Sequence, residues 1–292
     1  MRKFWASLQV FSLLFIVLLF GYKNLYTSPS PKKRKASNID YFIEAANPRI
    51  GHITPFIHQC FFNDNLSNAP SVYSVSKSSL TRHNPNFLYH LWTESEAEEL
   101  INRFYPGLQQ VWRKFNESFV LRVDFFRYIV LHFFGGVYAD VDAEAISSFD
   151  TLLEEFPGCA ILGIEVDFSR LPNWREMFQV AREVQICQWT LISPPGHPLL
   201  SILLSWIAKN ASLVEDPLHG DVMELTGPGI FTDCVLFYLK GLGFGRDAIE
   251  NIRNPRRFHD LVILPKRSFR KEGGDPDSYA FVTHHFLGSW KK

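Results

Sequence analysis

The sequence predicts one α/β domain carried behind a single N-terminal membrane segment. Three observations predict it. Phe4 to Phe20 is an apolar run broken only by Ser7, Gln9 and Ser12. After about residue 50, short β-branched and aromatic runs alternate with longer stretches of helical periodicity, the pattern of strands laid against helices. The chain has 292 residues, 46% of them apolar and 27 of them Phe, enough for one large aromatic core. That composition excludes a disordered chain, and a lone apolar run excludes a polytopic membrane protein.

The apolar run, as a helix, extends about 26 Å, enough to cross a thin bilayer. Gly21-Tyr22-Lys23 is a poor cleavage site, which favours an uncleaved signal-anchor over residues 1–22, spanning about 4–20, above a cleaved signal peptide. Residues 23–46, with Pro29 and Pro31 followed by Lys32–Lys35, read as a solvated stem. Residues 47–292 form the body. Seven of the 30 basic residues and none of the acidic ones lie in the first 39, so residues 40–292 carry 23 basic against 30 acidic, a net of −7. An acidic body argues against nucleic-acid binding, which needs a cationic surface. The basic residues after the run place the body in the cytoplasm by the positive-inside rule. Three sequons, at Asn65, Asn116 and Asn210, point instead to the lumen. Cys60, Cys159, Cys187 and Cys234 have no Cys-x-x-Cys spacing, so a zinc knuckle is not indicated; they are either disulfides of a luminal domain or buried thiols.

Each element of the body has its own signal. Ile53–Gln59 reads as a first strand, and Phe87–Trp92 as a second after the Asn84-Pro85 turn. Thr93 with Glu96 three residues on forms a capping box for a helix through Leu100 and Phe104, stopped by Pro106-Gly107. A helix from about Leu121 ends at Gly135-Gly136. Val137–Val141 and Ala160–Val166 read as strands, His197–Ala208 and Ile230–Lys240 as helices, and Tyr279–Phe286 as a final strand. Neither a Walker loop nor G-x-G-x-x-G is present, so the common phosphate cradles are missing.

The chemistry is concentrated around the glycine pair. At 100° per residue, Asp124, Arg127, Tyr128 and Leu131 share one face of a helix that is apolar elsewhere. A buried Asp and Arg are costly unless paired or liganded, so the stripe is either a structural i, i+3 ion pair or the wall of a polar ligand site. In Val137–Asp142, strand alternation puts Tyr138, Asp140 and Asp142 on one face. Two carboxylates emerging together suit a divalent cation such as Mg²⁺ or Mn²⁺, which in turn neutralises a diphosphate. A second D-x-D, Asp275-Pro276-Asp277, reads as a turn. The turns at Pro194-Pro195-Gly196 and Thr226-Gly227-Pro228-Gly229 permit close backbone approach, while Gln188-Trp189 reads either as groove lining or, preferably, as core.

The ordered run Arg122-x-Asp124-x-x-Arg127-Tyr128 through Gly135-Gly136-x-Tyr138-x-Asp140-x-Asp142 resembles the D-x-D region of glycosyltransferase family 32. Ile57-His58-Gln59, Asn84-Pro85-x-Phe87-x-Tyr89-x-Leu91-Trp92, Gly163-Ile164-Glu165, Gln188-Trp189-Thr190, Pro195-Gly196-His197-Pro198, Thr226-Gly227-Pro228 and His284-His285 through Gly288-Ser289-Trp290 extend the resemblance over roughly residues 50–291, toward its fungal initiation-specific α-1,6-mannosyltransferases. The resemblance implies a GT-A-type, Rossmann-like nucleotide-sugar-binding domain, a GDP-mannose donor, Mn²⁺ and retention at the anomeric carbon. It also implies a type II Golgi membrane protein with a luminal body, which outweighs the charge-based orientation. Carried over by residue, Asp124 and Arg127 hold the sugar and Tyr138 lines the donor site. Asp140 contacts the ribose or the sugar, and Asp142 ligates the metal together with His284 or His285. Ser289 and Trp290 close the site at the diphosphate. The acceptor implied is an oligomannose N-glycan; inositol phosphorylceramide, or a non-catalytic place in a mannosyltransferase complex, are the alternatives. The chain departs from the pattern in the first strand, His58-Gln59-Cys60-Phe61, where the family usually has Thr, Trp and Lys after the Gln, which bears on the acceptor more than on the donor.

Overall fold

The computed structural model describes residues 38–62, 71–216, 220–270 and 279–286. Its first half contains α1 (Asn38–Ala46), β1 (Phe56–Cys60), α2 (Ser71–His83), β2 (Leu88–Trp92), α3 (Glu94–Phe104), α4 (Gln109–Lys114), α5 (Phe119–Phe134), β3 (Gly136–Ala139) and β4 (Ala143–Ala145). There follow α6 (Asp150–Glu155), β5 (Ala160–Asp167), α7 (Trp174–Met177), β6 (Val184–Ile186), β7 (Thr190–Ser193) and α8 (Pro198–Leu213). The last are α9 (Val222–Leu225), α10 (Pro228–Gly241), β8 (Arg256–Phe258), β9 (Leu261–Leu264) and β10 (Val282–His284).

The fold is mixed α/β around a central sheet of order β2-β1-β3-β7-β5-β9-β8, with β6 pairing β5. β2, β1 and β3 run parallel, with Ile57 opposite Val137 and His58 opposite Tyr138. β7 is antiparallel to both β3 and β5, so β3 and β5 point the same way and finish at one edge. From β1 the chain moves to one side to make β2, then returns to the other side to make β3. In open α/β sheets ligands bind outside the carboxyl ends of strands at such a reversal. β4 and β10 form a separate antiparallel pair beyond that edge, with His284 opposite Ala143.

Alternating side chains give the sheet two apolar faces. One buries Phe56, Tyr138, Leu162 and Ile263 against α5, α8 and α10. The other buries Ile57, Val137, Ile161 and Val262 with Leu80 of α2 and Leu152 of α6. α5 is capped by Ser118, whose side chain accepts from the Leu121 N–H. It is buried on nearly every side, as its sequence predicts. It ends at Gly135 (φ 67°) and Gly136 (φ 98°), both in the region that favours glycine. At Gly136 a Cβ would stand 2.3 Å from the Phe56 carbonyl, so the β1–β3 approach itself requires the missing side chain. Thr54 Oγ1 donates to the Phe134 carbonyl at 2.6 Å and satisfies the helix end. Trp92 Nε1 donates to Nδ1 of His58, leaving Nε2 to donate to the Gly135 carbonyl at 2.8 Å. That tautomer is neutral, and burial holds the His58 pKa down at about 3.

The capping box at Thr93 and Glu96 forms as predicted. Other expectations need correction. The stem expected over 23–46 does not extend to Ala46, because its last nine residues form α1. Ile39 is fully buried and Phe42 nearly so, and Phe42 packs on Trp92 and His90. Asn38 donates to Glu96, and Asp40 pairs with Arg103. Apolar residues at i and i+3 were enough to make a helix where the proline-rich composition read as a spacer. The signal-anchor expected over 1–22 lies outside the described residues. Of the two readings of the cysteines, the structure shows the buried free thiols. Val222–Gly241 is apolar and long enough to cross a bilayer by composition alone. It packs against α8 and β6, with Phe231, Cys234 and Leu239 fully buried, and is a core segment.

Candidate functional site

β3 delivers the D-x-D motif to the carboxyl edge, though not by the strand alternation expected. The strand stops at Ala139. Asp140 to Ala143 is a tight turn closed by the Ala143 N–H on the Asp140 carbonyl at 2.9 Å. The turn, rather than a pleat, brings the two carboxylates together. Its backbone is anchored from three sides. The Asp140 N–H donates to the Trp189 carbonyl at 2.8 Å, Gln59 Nε2 donates to the Asp140 carbonyl at 2.8 Å, and Ser76 Oγ donates to the Ala143 carbonyl at 2.5 Å. Tyr89 in turn donates to Gln59 Oε1 at 2.7 Å and fixes that amide.

Asp124 and Arg127 meet as the helical spacing requires, Nη1 to Oδ1 at 2.6 Å, with each side chain almost fully buried. The pair is not self-contained. Arg127 Nη2 donates to Asp140 Oδ1 at 3.0 Å, and Tyr138 OH donates to the same oxygen at 2.8 Å. Thr226 Oγ1 donates to Asp124 Oδ2 at 3.1 Å. Tyr128 reaches the Gln188 amide oxygen and the Thr226 carbonyl. Burial pushes the Asp124 carboxyl up to about 6 despite the opposing charge of Arg127. Burial works against the Arg127 cation, but Asp124 and Asp140 hold its pKa well above the ordinary value.

Asp140, Asp142 and His284 each offer a ligand atom, all within 4.8 Å of one another. The antiparallel pairing of β10 with β4 brings His284 there. Its ring stacks on buried Trp189, centroids 4.7 Å apart and 17° between planes, and meets Phe286 edge-on. Nε2 stands 3.1 Å from Asp142 Oδ1, yet neither ring nitrogen makes a hydrogen bond among the described residues. A buried imidazole cannot leave both nitrogens unsatisfied without cost. A divalent cation between it and two carboxylates answers that need; carboxylate oxygens suit Mg²⁺ and Mn²⁺, and the imidazole adds a nitrogen donor. The residues therefore fit the metal that the resemblance implies.

The structure gathers Asp124, Arg127, Tyr138, Asp140, Asp142 and His284 at one edge. It does not bring His285 into the cluster: that ring turns the other way, 3.2 Å from Glu144. Ser289, Trp290 and Asn65 lie outside the described residues. Asn116 is exposed before α5, and Asn210 is half-buried in the last turn of α8. Trp189 is a core residue whose Nε1 donates to the Phe269 carbonyl at 2.7 Å. Gln59, Ser76 and Thr226 are the supporting residues that site reasoning missed. His58-Gln59 and Thr226-Gly227-Pro228 were visible as motifs, but only the tertiary fold shows that Gln59 holds the D-x-D turn and Thr226 holds Asp124.

A carboxylate pair on a tight turn at a sheet switch point, beside a buried Asp–Arg pair, can hold a divalent cation and a polar ligand. Residues 70–157 match the family described as glycosyltransferase sugar-binding region containing DXD motif. The chain is 31% identical over 266 residues to the initiation-specific alpha-1,6-mannosyltransferase of Candida albicans, covering 76% of this chain and 68% of that protein. It is 38% identical over 190 residues to the protein of the same name from Schizosaccharomyces pombe, covering 59% of this chain and 47% of that one. The chain thus spans about half the length of the second relative. It belongs to the family of DXD-containing glycosyltransferases. Among solved structures it is similar to PaToxG Glycosyltransferase, with a TM-score of 0.47 and 14% identity, covering 80% of this chain and 82% of that one.

Proposed function

We propose that this chain moves mannose from GDP-mannose to an oligomannose N-glycan, in α-1,6 linkage with retention, from a GT-A-type domain facing the Golgi lumen. The observation that carries the reading is the juxtaposition of the Asp140–Asp142–His284 cluster with the buried Asp124–Arg127 pair. The first is built for a cation and its diphosphate, the second for the hydroxyls of a single hexose. The names of the relatives support mannose and the linkage. Asp142 and His284 would hold the metal directly, with Asp140 shared between the metal and Arg127. A bound Mn²⁺ neutralises charge on the departing nucleoside diphosphate.

The protein's own residues prepare the sugar. Arg127 is held by two carboxylates, so its guanidinium has one orientation before the donor arrives. Burial keeps Tyr138 protonated as a donor to Asp140, which steadies the carboxylate facing the cation. Trp189 fixes the His284 ring plane by stacking. An N-terminal anchor, luminal glycans at Asn65, Asn116 and Asn210, and closure by Ser289 and Trp290 belong to the same reading.

The deciding experiment is transfer by the full-length chain from a panel of nucleotide sugars to free oligomannose, with Mn²⁺. Mannose transfer from GDP-mannose alone is the expected result. Transfer to inositol phosphorylceramide but not to oligomannose would replace the acceptor. Donor hydrolysis and transfer both at zero would make the chain a non-catalytic subunit.

A further inference from the structure

Glu165 lies near the end of β5, where the pairing with β6 is irregular between Ile164 and Val166. β5 finishes at the edge where β3 delivers Asp140, with only β7 between. Two strand spacings amount to about 10 Å, a gap that a phosphate and one hexose ring can bridge. Gly163 lets the Phe269 ring pack directly on β5: a Cβ there would stand 2.9 Å from that ring. The carboxylate is clamped on one side only. Gln185 Nε2 donates to Glu165 Oε2 at 2.8 Å. Gln185 cannot turn over, because its own oxygen accepts the N–H groups of Ala181 and Arg182 at 2.8 and 3.1 Å. Arg182 is fixed in turn by Asp233 and Glu224 through four contacts of 2.6 to 2.8 Å. Glu165 Oε1 has no hydrogen-bond partner among the described residues and is not among the fully enclosed polar atoms. That oxygen is left able to accept a further hydrogen bond.

Burial pushes the Glu165 carboxyl up, while Gln185, Arg270 and His284 pull it back. The Arg270 guanidinium lies over the Phe286 ring, which packs on His284. One oxygen clamped and one free, on a strand two places from the one that delivers Asp140, is an arrangement for accepting a hydrogen bond from a neutral donor.

We propose that Glu165 Oε1 accepts a hydrogen bond from a sugar hydroxyl at the transfer centre, making Glu165 a substrate-binding residue opposite the Asp124–Arg127 pair. This rests on the glycosyl-transfer reading above. The hydroxyl belongs to the hexose of the donor or to the acceptor sugar, and affinity measurements separate the two.

The test uses the full-length chain and its Glu165→Gln and Glu165→Ala variants, with Mn²⁺ present. Dissociation constants for GDP and GDP-mannose, the KM for free oligomannose and the thermal midpoint are measured on each. Glu165→Gln keeps the shape and can still accept from Gln185, but it then puts an amide N–H₂ in place of the free oxygen. The expected result is unchanged GDP affinity and midpoint in Glu165→Gln. GDP-mannose affinity falls about tenfold to a hundredfold if the hydroxyl is the donor's, or the oligomannose KM rises by as much if it is the acceptor's. Unchanged values for both sugars would overturn the proposal. So would parallel loss of GDP affinity and midpoint, the mark of a structural brace. The comparison is made on whichever nucleotide sugar the wild type transfers, so an error in the mannose assignment changes the ligand and leaves the test of Glu165 intact.

Discussion

Asp124→Asn and Arg127→Met should move stability in different directions while both reduce transfer. The Asp124 carboxyl sits at about 6 in the fold against an ordinary 3.8. A raised acid binds its proton more tightly in the folded than in the unfolded state. The stability attached to it is complete below pH 3.8 and is lost as pH rises through 6. At pH 7 the ionised form therefore costs about 3 kcal/mol, at 1.36 kcal/mol per pKa unit. Asparagine removes that charge and still accepts from Arg127, so Asp124→Asn should be neutral or stabilising. Arg127 has no such slack. Its loss strips Asp124 and Asp140 of their shared cation in a buried site, and breaking a buried pair from one side costs about 3–5 kcal/mol. If both residues hold hydroxyls of the sugar, each replacement should lower kcat/KM by one to two orders of magnitude, from contacts of about 1.5–3 kcal/mol. Thermal melting of the full-length chain at pH 7, beside initial rates of mannose transfer, gives both readings. An Asp124→Asn protein that is as destabilised as Arg127→Met, yet transfers at the wild-type rate, would show an ordinary structural ion pair and rule out a ligand role.

Three further outcomes follow from the same contacts. Removal of residues 1–37 should leave a folded body, whereas removal of 1–46 deletes Ile39 and Phe42 and should cost about 3–6 kcal/mol at 1.5–3 per buried side chain; equal melting of the two truncations would disprove the role of α1. Burial holds His58 at about 3 and His132 at about 4, so the unfolded chain takes up these protons first: the stability these two rings contribute should be full above about pH 6.5 and fall on acidification by up to about 1.4 kcal/mol per pH unit for each residue, outweighing the opposite contribution of Asp124, and a flat urea midpoint between pH 7.5 and 5 would contradict it. Exposed Asn116 should carry a glycan if the body is luminal, seen as a mobility shift on glycosidase treatment that Asn116→Gln reduces; the same mobility with and without Asn116 would place that sequon out of reach of the glycosylation machinery.

The elements that were legible in the sequence are those with a local cause. The capping box at Thr93, the glycine stop after Phe134 and the His197-Pro198 start of α8 each depend on residues within one turn. α2 escaped notice because Ser71–His83 is rich in serine and shows little apolar periodicity; its helix is held by the sheet, through Leu80 and the Ser76 and Ser79 hydroxyls. β7 and β9 are four-residue runs buried on both faces, with no alternation to reveal them. At the site, the Asp124–Arg127 spacing and the D-x-D motif were readable from periodicity, yet the turn at Asp140–Ala143 was not, since strand alternation places the same residues together. That His284 rather than His285 meets the D-x-D carboxylates follows from the β4–β10 register, which no local pattern encodes.

Everything proposed for this site depends on Asp140, Asp142 and His284 holding a divalent cation for a nucleoside diphosphate. That can be measured by titrating Mn²⁺ into the full-length chain and following electron paramagnetic resonance with and without GDP. The expected outcome is one protein-bound Mn²⁺ tightened by GDP, lost in Asp142→Ala and in His284→Ala and kept in His285→Ala. Undiminished Mn²⁺ binding in both Asp142→Ala and His284→Ala, or loss only in His285→Ala, would show that the cation is held elsewhere.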